Sequence, residues 1–138
     1  MSANNSGVRD INANRTFGNG VGSASAVSPV ILSDVANADF TPVANGCHIM
    51  VPTAARALTI TAASAAKTNL RVGEGFQFYI HNASAGAFSI TLVAGGGANV
   101  ETLGTTTLVI AQGESGLYSL HRTAAATYGI LGLGVNTH

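Results

Sequence analysis

Apolar and polar residues alternate along several short segments in the second half of the chain. Phe76, Phe78 and Ile80 alternate with Gln77, Tyr79 and His81, so the two sets point to opposite faces of a predicted strand. The same alternation returns in residues 88–93, 106–110, 118–120 and 128–131, with a further short strand predicted at 100–103. Turn residues separate these segments, including a turn predicted at residues 82–86. Strands at intervals of about 10–14 residues are typical of all-β domains.

Shorter apolar segments occupy the region before residue 70. Strands are predicted at residues 30–32, 39–43, 47–51 and 58–61, with a turn at residues 44–46. The alanine-rich residues 62–70 predict one or two helical turns that end near Asn69. We therefore expect a small antiparallel β-sandwich or barrel, jelly-roll-like, with one short helix and its core centred on residues 76–80.

The first 27 residues follow neither period. They are rich in asparagine and glycine, and their large apolar residues are sparse: Val8, Ile11, Phe17 and Val21. Such a segment cannot by itself offset an ordering cost of about 1–2 kcal/mol per residue. We therefore divide the chain into an extended N-terminal arm, residues 1–27, and a single β domain, residues 28–138. A neighbouring subunit would order the arm, or the arm would fold back on its own domain.

Composition points to assembly. Hydrophobic residues make up 46% of the chain and charged residues only 9%, against about a quarter in a typical soluble protein. Six basic and six acidic residues give a formal net charge of +0, and low net charge favours association. The alternative is a charge-poor β domain covered by threonine and serine. Scattered basic residues argue against a nucleic-acid partner.

The sequence shows no signal peptide and no apolar run long enough to cross a membrane, so synthesis in a cytoplasm is expected. The glycosylation triplets that begin at Asn4, Asn14 and Asn82 are therefore expected to carry no sugar.

Patterns that carry catalytic or cofactor chemistry are not recognisable in the sequence. The Gly113-Glu114-Ser115-Gly116-Leu117 segment departs from a serine-hydrolase elbow and is better explained as a turn. The glycine-rich segments at 18–22 and 95–97 lack the features of a dinucleotide or phosphate loop. The carboxylates at positions 34, 39, 74, 101 and 114 show no spacing of an acid pair. We expect no enzyme activity and no cofactor.

The four histidines are candidate metal ligands, and the one cysteine is a candidate nucleophile. Cys47 lies in an apolar run and is expected to be a small buried hydrophobe rather than a nucleophile. His48, His81, His121 and His138 lack the spacing of a zinc site. His81 and His121 could still meet in space, or copies of one histidine could meet on the axis of a trimer.

An ordered series of short motifs between residues 50 and 131 resembles a β-module of bacteriophage virion proteins. The motifs are Val51-Pro52-Thr53-Ala54-Ala55, the segment Leu70-Arg71-Val72-Gly73-Glu74-Gly75-Phe76-Gln77-Phe78, and residues 80–86, 90–92, 107–116 and 120–123. Modules of this kind occur in capsid decoration (cement) proteins and in tail or spike proteins, often as homotrimers. The resemblance implies a structural role, with the major capsid protein or another virion protein as partner, and brings no catalytic residues. It does not include the arm.

The function expected from the sequence is therefore a virion decoration protein that trimerises and stabilises the phage head. Val8, Ile11 and Phe17 are the predicted anchors of the arm. Arg71 and Arg122 are candidates for ion pairs between subunits, together with Glu74. Two alternatives remain: a tail, spike or fibre component that recognises a host surface such as a glycan, and a small enzyme or ligand-binding barrel.

Overall fold

A computed structural model of the chain describes residues 28–95, 99–103 and 108–137. The predicted arm, residues 1–27, lies outside the described residues, as do His138 and part of the strand predicted at 106–110. The described residues are mostly β-structure, as the alternation predicted, with ten strands and one short helix.

The elements follow the chain in this order: β1 (Val30–Ile31), β2 (Asn37–Asp39), β3 (Cys47–Met50), β4 (Arg56–Ile60), α1 (Ala62–Ala66), β5 (Gly75–Asn82), β6 (Ile90–Ala94), β7 (Val100–Thr102), β8 (Val109–Ile110), β9 (Glu114–Ala124) and β10 (Thr127–Thr137). Six strands form a large sheet in the order β1-β3-β5-β9-β10-β7. Four strands form a small sheet in the order β2-β4-β6-β8.

The expectation of antiparallel sheets is wrong. Five of the eight pairings between described strands are parallel, and both sheets are mixed. The reason lies in the path of the chain, which alternates between the sheets from β1 to β6. Strands β1, β3 and β5 therefore run parallel in the large sheet, and β2, β4 and β6 run parallel in the small one. A jelly-roll topology is not confirmed.

One hydrophobic core receives the buried faces of both sheets. Phe78 and Ile80 are fully buried, and Gln77 and Tyr79 are exposed, so the predicted alternation in β5 is confirmed. The ring of Phe78 packs 5.9 Å from that of Phe40, measured between centroids, and 5.8 Å from that of Tyr118. The aromatic strand predicted to be the core centre therefore lies there.

Several element boundaries differ from the predictions. The strand predicted at 39–43 ends at Asp39, and Phe40 is buried in the core. Pro42 has no N–H with which to continue a ladder. Phe88 was predicted to share the buried phase of Ile90, but β6 begins only at Ile90 and Phe88 is partly exposed.

The short helix forms where the alanines predicted it. Thr61 is its N-cap: the side chain of Thr61 accepts a hydrogen bond from the Ser64 backbone, and the Ser64 hydroxyl accepts one from the Thr61 backbone. This reciprocal capping box satisfies two N–H groups that the first turn leaves without partners. The helix ends at Ala66, and Asn69 then takes a positive φ of 58°.

Asn82 was predicted to begin a turn but is the fully buried last residue of β5. Its side-chain nitrogen donates to the carbonyls of Phe88 (2.8 Å) and Ile110 (2.9 Å), and its side-chain oxygen accepts from the Ser84 N–H (3.0 Å). The amide therefore joins the end of the large sheet to Ile110 in β8 of the small sheet. Because the side chain is buried, the expectation that this residue carries no sugar stays consistent with the fold.

The buried side chain of His48 makes a second connection, between the loop before β3 and strand β5. The Nε2 atom of His48 accepts from the Val43 N–H (3.1 Å), which leaves the proton on Nδ1 to donate to the Tyr79 carbonyl (2.9 Å). The ring packs edge-on to Phe40 and Phe78. Burial lowers the pKa of His48 below its usual value, so the ring is neutral at pH 7.

Candidate interaction surface on the large sheet

The two sheets present different outer faces. On the small sheet, the residues that alternate with the core positions are short or polar: Asn37, Asp39, Ala57, Thr59, Thr91, Val93 and Val109. Two of these seven residues are threonines and three are small apolar residues, so this face is only partly the threonine- and serine-covered surface that was the alternative explanation of the low charge. The large sheet carries bigger apolar side chains on its outer face, and we name these residues below.

Strand register places these apolar residues next to one another. In one row, Ile31 of β1 pairs with Ile49 of β3, which pairs with His81 of β5. In the next row, Tyr79 of β5 pairs with Cys47 of β3 on one side and with Leu117 of β9 on the other. Because partners in a ladder lie on the same side of the sheet, each row is continuous across its strands.

Two apolar residues of β10 lie on the same side of the sheet, outside these two rows. Leu131 pairs with Ser119 of β9, and a register shift after Leu117 leaves Leu133 as an extra residue in β10. Leu133 follows Leu131 by two residues and is 44% exposed, so it lies on the outer side of the sheet. We define the outer face as Ile31, Cys47, Ile49, Tyr79, Leu117, Leu131 and Leu133.

Four of the seven residues of the outer face are exposed, and the other three are half-buried. Ile31 is 72% exposed and Tyr79 is 45% exposed. Five adjacent strands, β1, β3, β5, β9 and β10, contribute to the face, and at a spacing of about 4.8 Å they span about 19 Å. A large, contiguous exposed apolar patch on a protein domain is commonly an interaction site.

Charge is absent from the described part of this face. The outward positions of β1, β3, β5, β9 and β10 hold no aspartate, glutamate, lysine or arginine. Glu101 is the nearest outward carboxylate along the sheet, on the edge strand β7, where it pairs with Gly129. The outward side of these five described strands is therefore uncharged, and it mixes the apolar residues of the outer face with polar ones such as Gln77 and Ser119.

Two histidines border the outer face without meeting. His81 pairs with Ser115 and His121 pairs with Gly75, six residues apart along the same ladder, or about 20 Å. The expectation that these histidines could meet within the chain is therefore wrong. His121 lies flat over Gly75, where any Cβ would overlap its ring, and bonds the Ser119 hydroxyl at 2.8 Å. His81 bonds the Ser115 hydroxyl at 2.8 Å.

Cys47 is exposed, so its prediction as a small buried hydrophobe is wrong. The physical reason is register: His48 and Met50 take the inward positions of β3, which turns Cys47 and Ile49 outward. An apolar strand whose two faces are both apolar cannot be oriented from its sequence alone. Cys47 becomes a natural thiol on the outer face beside Tyr79.

The two arginines chosen as assembly candidates have different positions. Arg71 is exposed and pairs within its own chain with Glu74, 3.6 Å away between nitrogen and oxygen. The guanidinium of Arg122 donates to the carbonyls of Leu70 (2.8 Å) and Ala125 and lies over the Tyr128 ring. Arg122 thereby holds its own domain together. Val8, Ile11 and Phe17 lie outside the described residues.

Features of an enzyme site are weak in the described part of the chain. A cavity of about 300 Å³ is lined by Ala87, Phe88, Ser89, Ala111 and Gln112, which carry no titratable group. Asp34 accepts from Thr53 and Arg56 in an exposed cluster that fastens two loops, and this pairing holds the pKa of its carboxyl well below the usual range. The described residues include no metal-binding group of three His, Cys, Asp or Glu residues and no helix that could cross a membrane.

Sequence reasoning missed the outer face itself. A signal was present, because the positions opposite the core residues in β3, β5 and β10 are also apolar: Ile49, Tyr79, Leu131 and Leu133. Strands that are apolar on both sides indicate two covered faces. Only the register shows that these residues come from neighbouring strands.

Comparison with known protein families, with curated proteins and with solved structures gave no match to this chain. The outer face of the large sheet is therefore identified by its geometry and composition.

Proposed function

We propose that this chain is a non-enzymatic structural subunit whose outer face is covered by protein in an assembly. The observation that carries the proposal is the neutral apolar surface that spans five adjacent strands of the large sheet. Burial of apolar surface stabilises an interface by about 25 cal/mol per Å². No charge on the outward positions has to be desolvated when that surface is covered.

The specific role we propose is that of a phage capsid decoration protein that forms a homotrimer and reinforces the head. The motifs between residues 50 and 131 support this reading through their resemblance to virion β-modules. The two mixed sheets share one core, and we infer that they stack as a sandwich. In a repeating shell, each subunit would be held by many weak apolar contacts made at once, so the combined avidity of these contacts would stabilise the shell.

Host recognition by a tail or spike protein is the competing function. Carbohydrate sites usually present exposed aromatic rings, and Tyr118 and Tyr128 are buried in the core. Tyr79 is exposed, with Cys47 and Leu117 beside it on the neighbouring strands, so the described outer face presents one aromatic ring. Labelled electron microscopy of particles would locate the protein on the head or on the tail and so separate the two functions.

The proposed function is tested by placing a charge on the outer face. Tyr79→Glu puts a carboxylate in the middle of the face, and burying it in an interface would cost several kcal/mol. Val72→Glu is the matched control, because Val72 is similarly exposed but lies in the turn before β5. Sedimentation equilibrium gives the oligomeric mass, and co-sedimentation with purified heads gives binding.

We expect the parent chain and the Val72→Glu variant to be oligomeric and to bind heads, and the Tyr79→Glu variant to lose both properties. Circular dichroism should show that both variants keep the β fold. A parent chain that is monomeric and fails to bind particles would contradict the proposal, as would a folded Tyr79→Glu variant that assembles normally.

A further inference from the structure

We propose that the outer face of one subunit is covered by the N-terminal segment, residues 1–27, of a neighbouring copy of the same chain. This inference rests on the proposed assembly function and names the occupant of its surface. The apolar residues Val8, Ile11 and Phe17 would pack against the rows around Tyr79 and Leu117. Three independent features of the described structure and the sequence lead to this occupant.

The first feature is the place where the segment joins the domain. The segment ends at residue 27, three positions before Val30 begins β1, and β1 is an edge strand of the large sheet. Ile31 of β1 is the most exposed of the large apolar side chains and begins the first row of the outer face. The segment therefore leaves the domain at the border of the surface that needs covering.

The second feature is the direction in which the segment leaves. Ser28 precedes Pro29, and a residue before proline is driven toward extended backbone, while the proline ring fixes its own φ near −65°. Both residues are exposed and lie outside the strands. An extended exit continues along the line of β1, away from the sheet, which favours contact with a neighbouring copy over a return to the same domain.

The third feature is length and chemistry. Twenty-seven residues reach up to about 90 Å when extended, several times the width of about 19 Å spanned by the five strands. The segment cannot form a core of its own, yet it carries well-spaced apolar side chains among small polar ones. The apolar side chains of the segment and those of the outer face both lack a packing partner within the domain. Exchange of the segment between copies would provide one for each.

The native thiol of Cys47 allows a direct test on the full-length chain, because it is exposed on the outer face beside Tyr79. One subunit keeps Cys47 as its only cysteine. The second subunit carries Thr16→Cys and Cys47→Ser, so its only thiol lies next to Phe17. The two chains are co-expressed with tags of different mass, purified under reducing conditions and then oxidised. A disulfide between them can form only between copies.

The matched control replaces the receiving subunit by one with Cys47→Ser and Asn37→Cys. Asn37 is exposed but lies on the edge strand of the small sheet. We expect the heterodimer with Cys47 to form at least about ten-fold faster than with the control, because docking raises the local thiol concentration toward the millimolar range. Non-reducing electrophoresis and mass spectrometry identify the product.

Two results would overturn the inference. Equal rates with Cys47 and with the control site mean that the segment does not select the outer face. A Thr16→Cys chain that retains Cys47 and yields only a fast-migrating, internally linked monomer means that the segment covers its own domain. If either result comes from a chain that is oligomeric and binds heads, the inference fails while the proposed function stands. A monomeric chain that binds no heads removes the proposed function itself.

Discussion

Replacing Asn82 with alanine removes a side chain that joins the two sheets. The variant loses two donated hydrogen bonds, to the Phe88 and Ile110 carbonyls, and one accepted from the Ser84 N–H. A net value of about 1 kcal/mol for each bond, plus the cost of leaving buried polar groups without partners, gives a loss of about 3–5 kcal/mol. A domain of this size has only about 5–15 kcal/mol of stability in total.

Both the nitrogen and the oxygen of the Asn82 side-chain amide are needed. Its nitrogen has two hydrogens for two carbonyls, and its oxygen accepts from one N–H, so all three contacts match the donors and acceptors of asparagine. Asn82→Asp keeps the shape but turns an oxygen toward both carbonyls. We therefore expect the aspartate variant to be at least as unstable as the alanine variant at pH 7.

Urea unfolding followed by circular dichroism measures the difference. A loss of about 4 kcal/mol corresponds to a fall in melting temperature of roughly 15 °C for a domain of about 110 residues. Asn136→Ala, at an exposed position of β10, is the matched control and should change the free energy of unfolding by less than about 0.5 kcal/mol. An Asn82→Ala variant that loses less than about 1 kcal/mol would refute the reasoning.

Three further predictions concern His48, Thr61 and Asp34. Burial lowers the pKa of His48 in the folded state, so as pH falls the unfolded chain binds a proton at this ring before the folded chain does. The free energy of unfolding should therefore fall as pH drops below about 6.5, by at most about 1.4 kcal/mol per pH unit. Urea unfolding from pH 7.5 to 5 tests this, and a His48→Gln variant with the same slope would contradict it. Thr61→Ala should cost about 1 kcal/mol by calorimetry, through loss of the N-cap, and an unchanged melting temperature would count against the capping role. Hydrogen bonds from Arg56 and Thr53 hold the pKa of Asp34 low, so the Asp34→Asn variant should be less stable than the parent at pH 7. The melting temperatures of the two proteins should converge as falling pH protonates Asp34. A difference in melting temperature that stays constant with pH would contradict the stabilising role of the charged carboxylate.

Period-two alternation determined the β class and the core of this protein. In β5 and β9 the inward residues Phe78, Ile80, Tyr118 and Leu120 could be identified because polar residues such as Gln77 and Ser119 alternate with them. The same local chemistry located the helix at Ala62–Ala66. These features depend on residues that lie close together in the sequence, so each can be predicted from a single segment.

Segments with apolar residues in both phases could not be oriented in this way. In residues 47–50, hydrophobicity alone favours Cys47 and Ile49 as the buried pair, which is the opposite of what the structure shows. In the structure His48 points inward because the Val43 N–H and the Tyr79 carbonyl supply partners for both ring nitrogens. Val43 lies only five residues before His48, but Tyr79 lies on another strand, so the outcome depends on a tertiary contact.

The sequence by itself thus determined that the protein is a charge-poor, mostly β chain with a buried aromatic strand at its centre and a polar segment of 27 residues before it. The tertiary structure decided the parallel winding between two sheets, the inward positions of His48 and Asn82, and the apolar rows from Ile31 to Leu133. Alternation is local and can be seen along one strand. Register and strand order depend on pairing between residues far apart in the chain, and that pairing is what joins scattered apolar residues into one surface.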